Sequence, residues 1–318
     1  METVACPITN STEFTDYLQV PDRFDSSGKE RWRLMRSTAS GLIMLNPRPD
    51  SSEITLHYHS GQYDPYLHGQ NSSSFRDKVY LAARSFLLRY RAKIILKGIT
   101  KPMQQLSILE IGCSTGALLD YLHRKKGVTL QNLAGVEPDT EAAEHARKHF
   151  GLQVYPSLHE EGFGEKIFDR IVLWHTLEHI HAINETVELV AKKLAPEGVL
   201  VIALPNPASF DAGLYRENWI AWDAPRHLYH FVPGTLEKLL ELHNLNILRE
   251  RPYFPDTLYN IFHSEKLRCQ REKQKFNALR VTGALLEATA MTRAEKASSL
   301  VYYCRKKQGH KGHQGQQG

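Results

Sequence analysis

Cysteine is scarce in this chain: four in 318 residues (Cys6, Cys113, Cys269 and Cys304), with no C-x-x-C pair. That leaves neither a disulfide framework nor a cysteine-paired zinc knuckle to read, and it fits a reducing compartment. No apolar run approaches the roughly 18 residues of a membrane span. The N-terminus carries Glu2 and no cationic stretch followed by an apolar one, so it does not read as a secretory leader. A cytoplasmic setting is expected. Charge of one sign is lacking as well. Forty Lys and Arg against 35 Asp and Glu give +5, and Arg305, Lys306, Lys307 and Lys311 near the C-terminus account for all but +1 of it. A basic face across the folded body, and with it nucleic acid as a partner, is not expected. Also missing are the G-x-G-x-x-G turn of dinucleotide sites and the G-x-x-x-x-G-K-[ST] loop of nucleoside triphosphate sites.

What is present is an ordinary globular composition, 42% hydrophobic and 24% charged, in a chain long enough for one large core and a smaller module. Residues 1–74 read as an irregular entry module, with short strand-like pieces over 32–34 and 41–45 and a turn at Asn46-Pro47-Arg48-Pro49. Ser72, Ser73 and Ser74 precede a helical period through Val79, Ala82, Ala83, Phe86, Leu87, Tyr90 and Ile94. From there to residue 307 apolar runs alternate with helical stretches. Strands are expected over 107–111, 132–136, 153–155, 170–174 and 199–204, and helices over 117–126, 140–150 and 185–194. Short apolar runs with little polar alternation indicate a parallel sheet covered on both faces, hence an α/β fold. A helix over 234–243, a strand over 247–251, a basic stretch over 263–293 and a strand over 300–305 follow. The Gly-, Gln- and His-rich residues 308–318 read as a disordered tail.

The sharpest motif is Ile108-Leu109-Glu110-Ile111-Gly112-Cys113-Ser114-Thr115-Gly116: a strand with an acid near its end, then a small-residue turn, then a helix. Such a turn lets a ligand approach the main chain beside free helix N–H groups. Glu137, 25 residues after Gly112 and at the end of the next strand, can accept the two hydroxyls of a ribose. Together with the missing phosphate motifs, this describes a nucleoside-type cofactor without phosphates.

These residues resemble the class I S-adenosylmethionine (SAM)-dependent methyltransferases, and most of all the UbiG-like small-molecule group. The further pieces are Phe168-Asp169-Arg170-Ile171-Val172-Leu173-Trp174-His175-Thr176-Leu177-Glu178-His179-Ile180, Leu194-Ala195-Pro196-Glu197-Gly198-Val199-Leu200 and Trp222-Asp223-Ala224-Pro225-Arg226-His227-Leu228. The resemblance implies a Rossmann-like, seven-stranded, mostly parallel sheet over 75–307, SAM as co-substrate and a small-molecule methyl acceptor. It implies that Gly112 and Gly116, with Cys113 and Ser114, line the methionine part and that Glu110 orients its ammonium. Glu137, with Pro138, would bind the ribose, Ser157 and Leu158 would flank the adenine, and His175 would face the reacting methyl. Ser114 stands where a glycine is usual, which leaves its main chain less free. The entry module echoes relatives with a C-x-x-C knuckle whose cysteine positions here are Ser37 and Ser40. Serine is a poor zinc ligand, so a metal-free relic is expected. Tyr58 and Tyr63 match aromatic positions that close over the cofactor in such relatives.

Catalytic help is expected from His175, His227 and Arg226. A histidine with a pKa near neutrality suits a general base for a hydroxyl acceptor, and Arg226 and His227 sit in a long loop after the fifth strand. His175-Thr176-Leu177-Glu178-His179 also spells H-x-x-E-H, the inverted zinc-peptidase motif. That motif needs one continuous helix, whereas here it starts at a strand end, so no metal is expected and a zinc enzyme is the lesser alternative. A SAM-fold protein that binds without catalysis is another. The basic stretch 263–293 reads as a solvated helix face, open to peripheral contact with a membrane surface or an anionic substrate.

Overall fold

A computed structural model describes residues 1–25, 29–58, 75–290 and 296–307. Tyr63, the serines at 72–74, Arg293 and the tail 308–318 lie outside the described residues. Strands β4 (Ile108–Ile111), β5 (Leu133–Val136), β6 (Gln153–Tyr155), β7 (Phe168–Trp174) and β8 (Leu194–Pro205) pair in parallel. With β10 (Leu245–Pro252) and β11 (Ser299–Lys306) they form a seven-stranded sheet in the order β10-β11-β8-β7-β4-β5-β6, in which β11 runs antiparallel to both neighbours. β4 and β5 are buried at every residue, which is why their runs are apolar throughout except at Glu110.

Alternate residues feed two separate cores. Leu109, Ile111, Ile171, Leu173, Leu200 and Ile202 pack on one face, and Ile108, Leu133, Val172, Val199 and Val201 on the other. Helices α1 (Phe75–Ile95), α2 (Ala117–Lys126), α3 (Thr140–Phe150), α4 (Ile183–Lys193) and α6 (Pro233–Glu241) flank the sheet, and the short α5 (Phe210–Tyr215) follows β8. Asp139 starts α3 by accepting the Ala142 N–H at 2.8 Å. Leu194, expected as the last residue of α4, instead opens β8. After β4 the chain steps outward to β5 and β6 and then returns to β7 on the other side. A crevice opens at such a reversal, above the carboxyl ends of the strands.

The entry module supplies β1 (Phe14–Pro21), β2 (Arg31–Ser37) and β3 (Ile43–Leu45), but the fourth strand of their antiparallel sheet is β9 (Tyr229–His230), from far along the chain. Leu34, Met44 and Leu45 accordingly share one core cluster with Leu109 and Ile171. At the knuckle position, Cys6 Sγ lies 3.1 Å from Ser40 Oγ, and the Ser40 N–H donates to Ser37 Oγ at 3.3 Å.

The basic stretch is not simply a solvated face. It falls on α7 (Phe254–Arg271) and α8 (Ala278–Ala290), where Leu267, Arg268 and Cys269 are buried and Arg268 pairs with the buried Glu265 at 2.7 Å. No described helix is long and apolar enough to cross a membrane.

Candidate active site

Two cavities of about 650 and 680 Å³ open over the carboxyl ends of β4, β5 and β7, and Gly112, Ser114, His175 and His179 line both. They are two lobes of one site, joined along these four residues. The first runs over β5 and β6 and is lined by Glu137, Pro138, Ser157, Leu158 and, from the entry module, Tyr58. The second lies against α1 and α7, with Glu110, Cys113, Arg91, Trp174, Asp256 and His227 among its walls.

The turn between the lobes is held by main chain. The Gly112 and Cys113 N–H groups both donate to the Val136 carbonyl, at 2.8 and 3.1 Å. Gly112 has φ 73, and a Cβ on it would come 2.5 Å from Thr176 Oγ1, so only glycine fits. Ser114 takes the left-handed φ of 48 that its small side chain tolerates, and its N–H donates to Glu137 Oε2 at 2.8 Å. Glu137 Oε1 accepts the Asp139 N–H at 3.0 Å. Burial still raises the Glu137 pKa against these two donors. Glu110 is more extreme: burial outweighs nearby Arg91 and pushes its pKa up to about 8, and its Oε2 has no hydrogen-bond partner. An orphaned buried carboxyl oxygen fits a cationic group arriving from outside. Glu110, the bare turn at Gly112 and Glu137 fit SAM: its ammonium, its methionine chain and its ribose, in that order.

Gly116 and Arg226 line neither lobe. Gly116 starts α2 with φ 77, and a Cβ there would strike Leu152 and Ala146 of the neighbouring layer, so its bareness serves packing. Arg226 is wholly buried and pairs with Asp22 of the entry module and with Asp223, at 2.6 and 2.7 Å.

The histidines differ from the near-neutral imidazoles that the sequence suggests. His175, at φ 52, holds Nε2 2.7 Å from Asp256 Oδ2 and Nδ1 3.5 Å from Glu178 Oε1. Burial lowers its pKa, but the two carboxylates outweigh burial and raise it to about 10, so it stands as an imidazolium. His227 goes the other way. Burial and the neighbouring His179 and His230 hold its pKa far below 6.5, and its Nδ1 lies 2.9 Å from the Ala221 carbonyl. His179 is likewise kept neutral by burial, with Nδ1 3.0 Å from the Arg226 carbonyl and 2.9 Å from the Tyr58 hydroxyl.

The H-x-x-E-H segment is not one helix: His175 follows the end of β7, and Leu177–His179 is a single 3-10 turn. His175 is drawn toward Asp256. Among the described residues, the donor atoms that gather within 4.8 Å of one another are those of Glu178, His179 and His227, the set that could hold a metal ion. Sequence reasoning missed Arg91, Tyr253 and Asp256. The spacing of Arg84 and Arg91, two turns apart on one face of α1, was an available signal for an arginine-bearing wall. Nothing local ties Asp256 to His175.

Residues 75–250 match the family model described as a methyltransferase domain. The ubiquinone biosynthesis O-methyltransferase of Bartonella bacilliformis is 27% identical over 158 residues, 47% of this chain and 63% of that protein. The mitochondrial ubiquinone biosynthesis O-methyltransferase of Rattus norvegicus is 27% identical over 163 residues, 46% of each chain. The chain thus spans less than two thirds of the length of these relatives. Among solved structures, geranyl diphosphate C-methyltransferase from Streptomyces coelicolor superposes with a TM-score of 0.49 at 14% identity, over 76% of this chain and 88% of that one. Magnesium protoporphyrin IX methyltransferase from Synechocystis gives 0.48 at 11%, over 81% and 100%.

Proposed function

The chain belongs to the methyltransferase-domain family, and from this we propose that it is a SAM-dependent methyltransferase that methylates an oxygen, carbon or nitrogen of a small molecule held in the second lobe. The observation that carries the reading is the meeting of two lobes at Gly112, Ser114, His175 and His179, with Glu137 in one and the unpartnered Glu110 in the other.

Bound SAM supplies a methyl group already activated by its cationic sulfur. The chain's residues have to bind, align and exclude water, and alignment by itself is worth several kcal/mol, up to roughly 7–11 in favourable cases. Glu110 would hold the ammonium, the main chain at Gly112 and Ser114 the methionine stem beside Cys113, and Glu137 with Pro138 the ribose; Ser157 and Leu158 would flank the adenine. Trp174, Tyr253, Leu87 and Leu88 give the second lobe its apolar lining. Of the two expected bases His175 is already an imidazolium, while His227 borders that lobe as a neutral ring, able to accept a hydrogen bond from a hydroxyl acceptor although its surroundings disfavour its taking the proton outright. His175, an imidazolium between carboxylates, serves the site by position, and Arg226 by holding the loop that carries His227.

The acceptor classes in view are a sugar or glycan precursor, a phenol and other secondary metabolites. A cytoplasmic setting fits the four cysteines, all free and buried. Exposed Phe254, Leu258 and Phe262 stand four residues apart on α7 near Lys266, Lys273 and Lys275, an arrangement suited to peripheral contact with an anionic membrane surface.

Calorimetry with S-adenosylhomocysteine (SAH), followed by SAH release from SAM with a panel of phenols, sugars and amines, tests the reading. Binding with turnover of one acceptor class is expected. Binding with no turnover across the panel would favour a non-catalytic SAM-fold protein, and absence of binding would remove the cofactor assignment.

A further inference from the structure

Consecutive residues at the end of β7 meet residues one turn apart at the start of α7. Trp174 packs edge-on against the buried Tyr253, ring centres 4.9 Å apart. Beside it His175 and Asp256 form the 2.7 Å ion pair, with side chains 27% and 18% exposed. A pair shielded to this degree is screened less by water and salt than one on the open surface.

The two lobes share His175 but not α7. Pro255, Asp256, Tyr259, Asn260 and His263 of α7 line the second lobe, and no α7 residue lines the first. On the other side, Thr176 follows His175 in the chain and covers the bare Cα of Gly112. A continuous line of contacts therefore runs from the cofactor turn at Gly112 through Thr176, His175 and Asp256 into the wall of the second lobe. The left-handed main chain of His175 is a conformation that a side chain of this size adopts rarely and that its surroundings must hold in place.

We propose that Asp256 is a positioning residue: through His175 it fastens α7, the wall of the acceptor lobe, to the cofactor turn, so that cofactor binding orders the place where the acceptor will sit. The inference rests on the reading of the second lobe as the acceptor's. It makes the acceptor site incomplete until the cofactor turn is ordered.

Hydrogen–deuterium exchange on the full chain, with SAH as the probe, tests this without knowledge of the acceptor. In the unsubstituted protein SAH should slow exchange over residues 108–118 and also over 254–262. In Asp256→Asn, SAH affinity should stay within about threefold and protection of 108–118 should persist, while the slowing over 254–262 drops by about fivefold or more. His175→Gln should lose the same protection, and the two changes together should lose no more than either alone. Unfolding midpoints measured alongside show whether each variant is folded. Full protection of 254–262 in Asp256→Asn overturns the proposal, as does a loss of SAH affinity matching the loss of protection. If SAH leaves 108–118 of the unsubstituted protein unchanged, the cofactor assignment falls, and the proposal with it.

Discussion

Thr176 lies so close over Gly112 that a Cβ at position 112 would sit 2.5 Å from its hydroxyl and 2.8 Å from its methyl group. Gly112 also has φ 73, so an L-residue there meets two penalties, a left-handed main chain worth about 1–2 kcal/mol and a collision. Gly112→Ala should weaken SAH binding at least about tenfold, or about 1.4 kcal/mol, while lowering the urea midpoint. Calorimetry and urea titration on one preparation separate these effects. Unchanged SAH affinity would show that the main chain at 112 does not touch the cofactor.

Glu137 closes β5 with both oxygens engaged by main-chain N–H groups, Ser114 on one and Asp139 on the other. Its lone pairs that remain are those available to ribose hydroxyls. Hydrogen bonds to a charged group contribute about 1.5–3 kcal/mol, so Glu137→Ala should weaken SAH roughly ten- to a hundredfold. Glu137→Gln, which keeps the volume and one acceptor oxygen, should fall between. Equal losses for both variants would point to the carboxylate's charge, and no loss in either would take Glu137 out of the cofactor site.

Stability should fall on both sides of neutrality, for different histidines. His175 has its folded pKa raised from 6.5 to about 10 by Asp256 and Glu178, so its contribution is complete below 6.5 and is lost as pH rises through about 10. His230 is the reverse: burial, with His179 nearby, lowers its pKa to about 3. Its neutral form is the one the fold accommodates, so stability declines as pH falls below 6.5 toward 3. Urea midpoints from pH 4 to 10 should trace a dome. His230→Phe should flatten the acid side and His175→Gln the alkaline side. A dome unaffected by either substitution would assign the pH dependence to other groups.

The parallel sheet was legible because β4 and β5 are buried on both faces and so carry no polar alternation, and because small residues and an acid punctuate their ends. Ten of the twelve residues singled out border the two lobes; Gly116 and Arg226 do not, since a bare main chain and a charged side chain can serve packing as well as ligands. What stayed illegible has physical causes. The buried face of α7 mixes Thr257, Asn260, Ser264, Glu265 and Arg268 with the apolar Ile261 and Leu267, so its hydrophobic period is interrupted. Partial burial of β1 at Phe14, Tyr17 and Leu18, between exposed residues, likewise gave no clean alternation. The pairing of His175 with Asp256 joins residues 81 apart, and no local pattern encodes such a meeting.

Arg226 carries the last prediction, because its guanidinium is the joint between the entry module and the loop before β9. It donates to Asp22 at 2.6 and 3.2 Å and to Asp223 at 2.8 Å, all in the interior, and to the half-buried His57 carbonyl at 3.2 Å. Burial opposes the cation, but Asp223 and Asp22 outweigh it and raise its pKa above the usual arginine value. Arg23 also pairs with Asp223, at 2.9 Å, so Asp22 loses most when Arg226 is removed. Breaking such a buried pair costs about 3–5 kcal/mol because one charge is left uncompensated. Arg226→Ala should therefore lower the urea midpoint sharply. Arg226→Lys should recover little, since a single ammonium cannot span two carboxylates in the planar, forked geometry. Asp22→Asn combined with Arg226→Met removes both charges and should be milder than Arg226→Ala alone. If instead the three variants unfold at the same denaturant concentration as the unsubstituted protein, the joint contributes nothing to the attachment of the entry module.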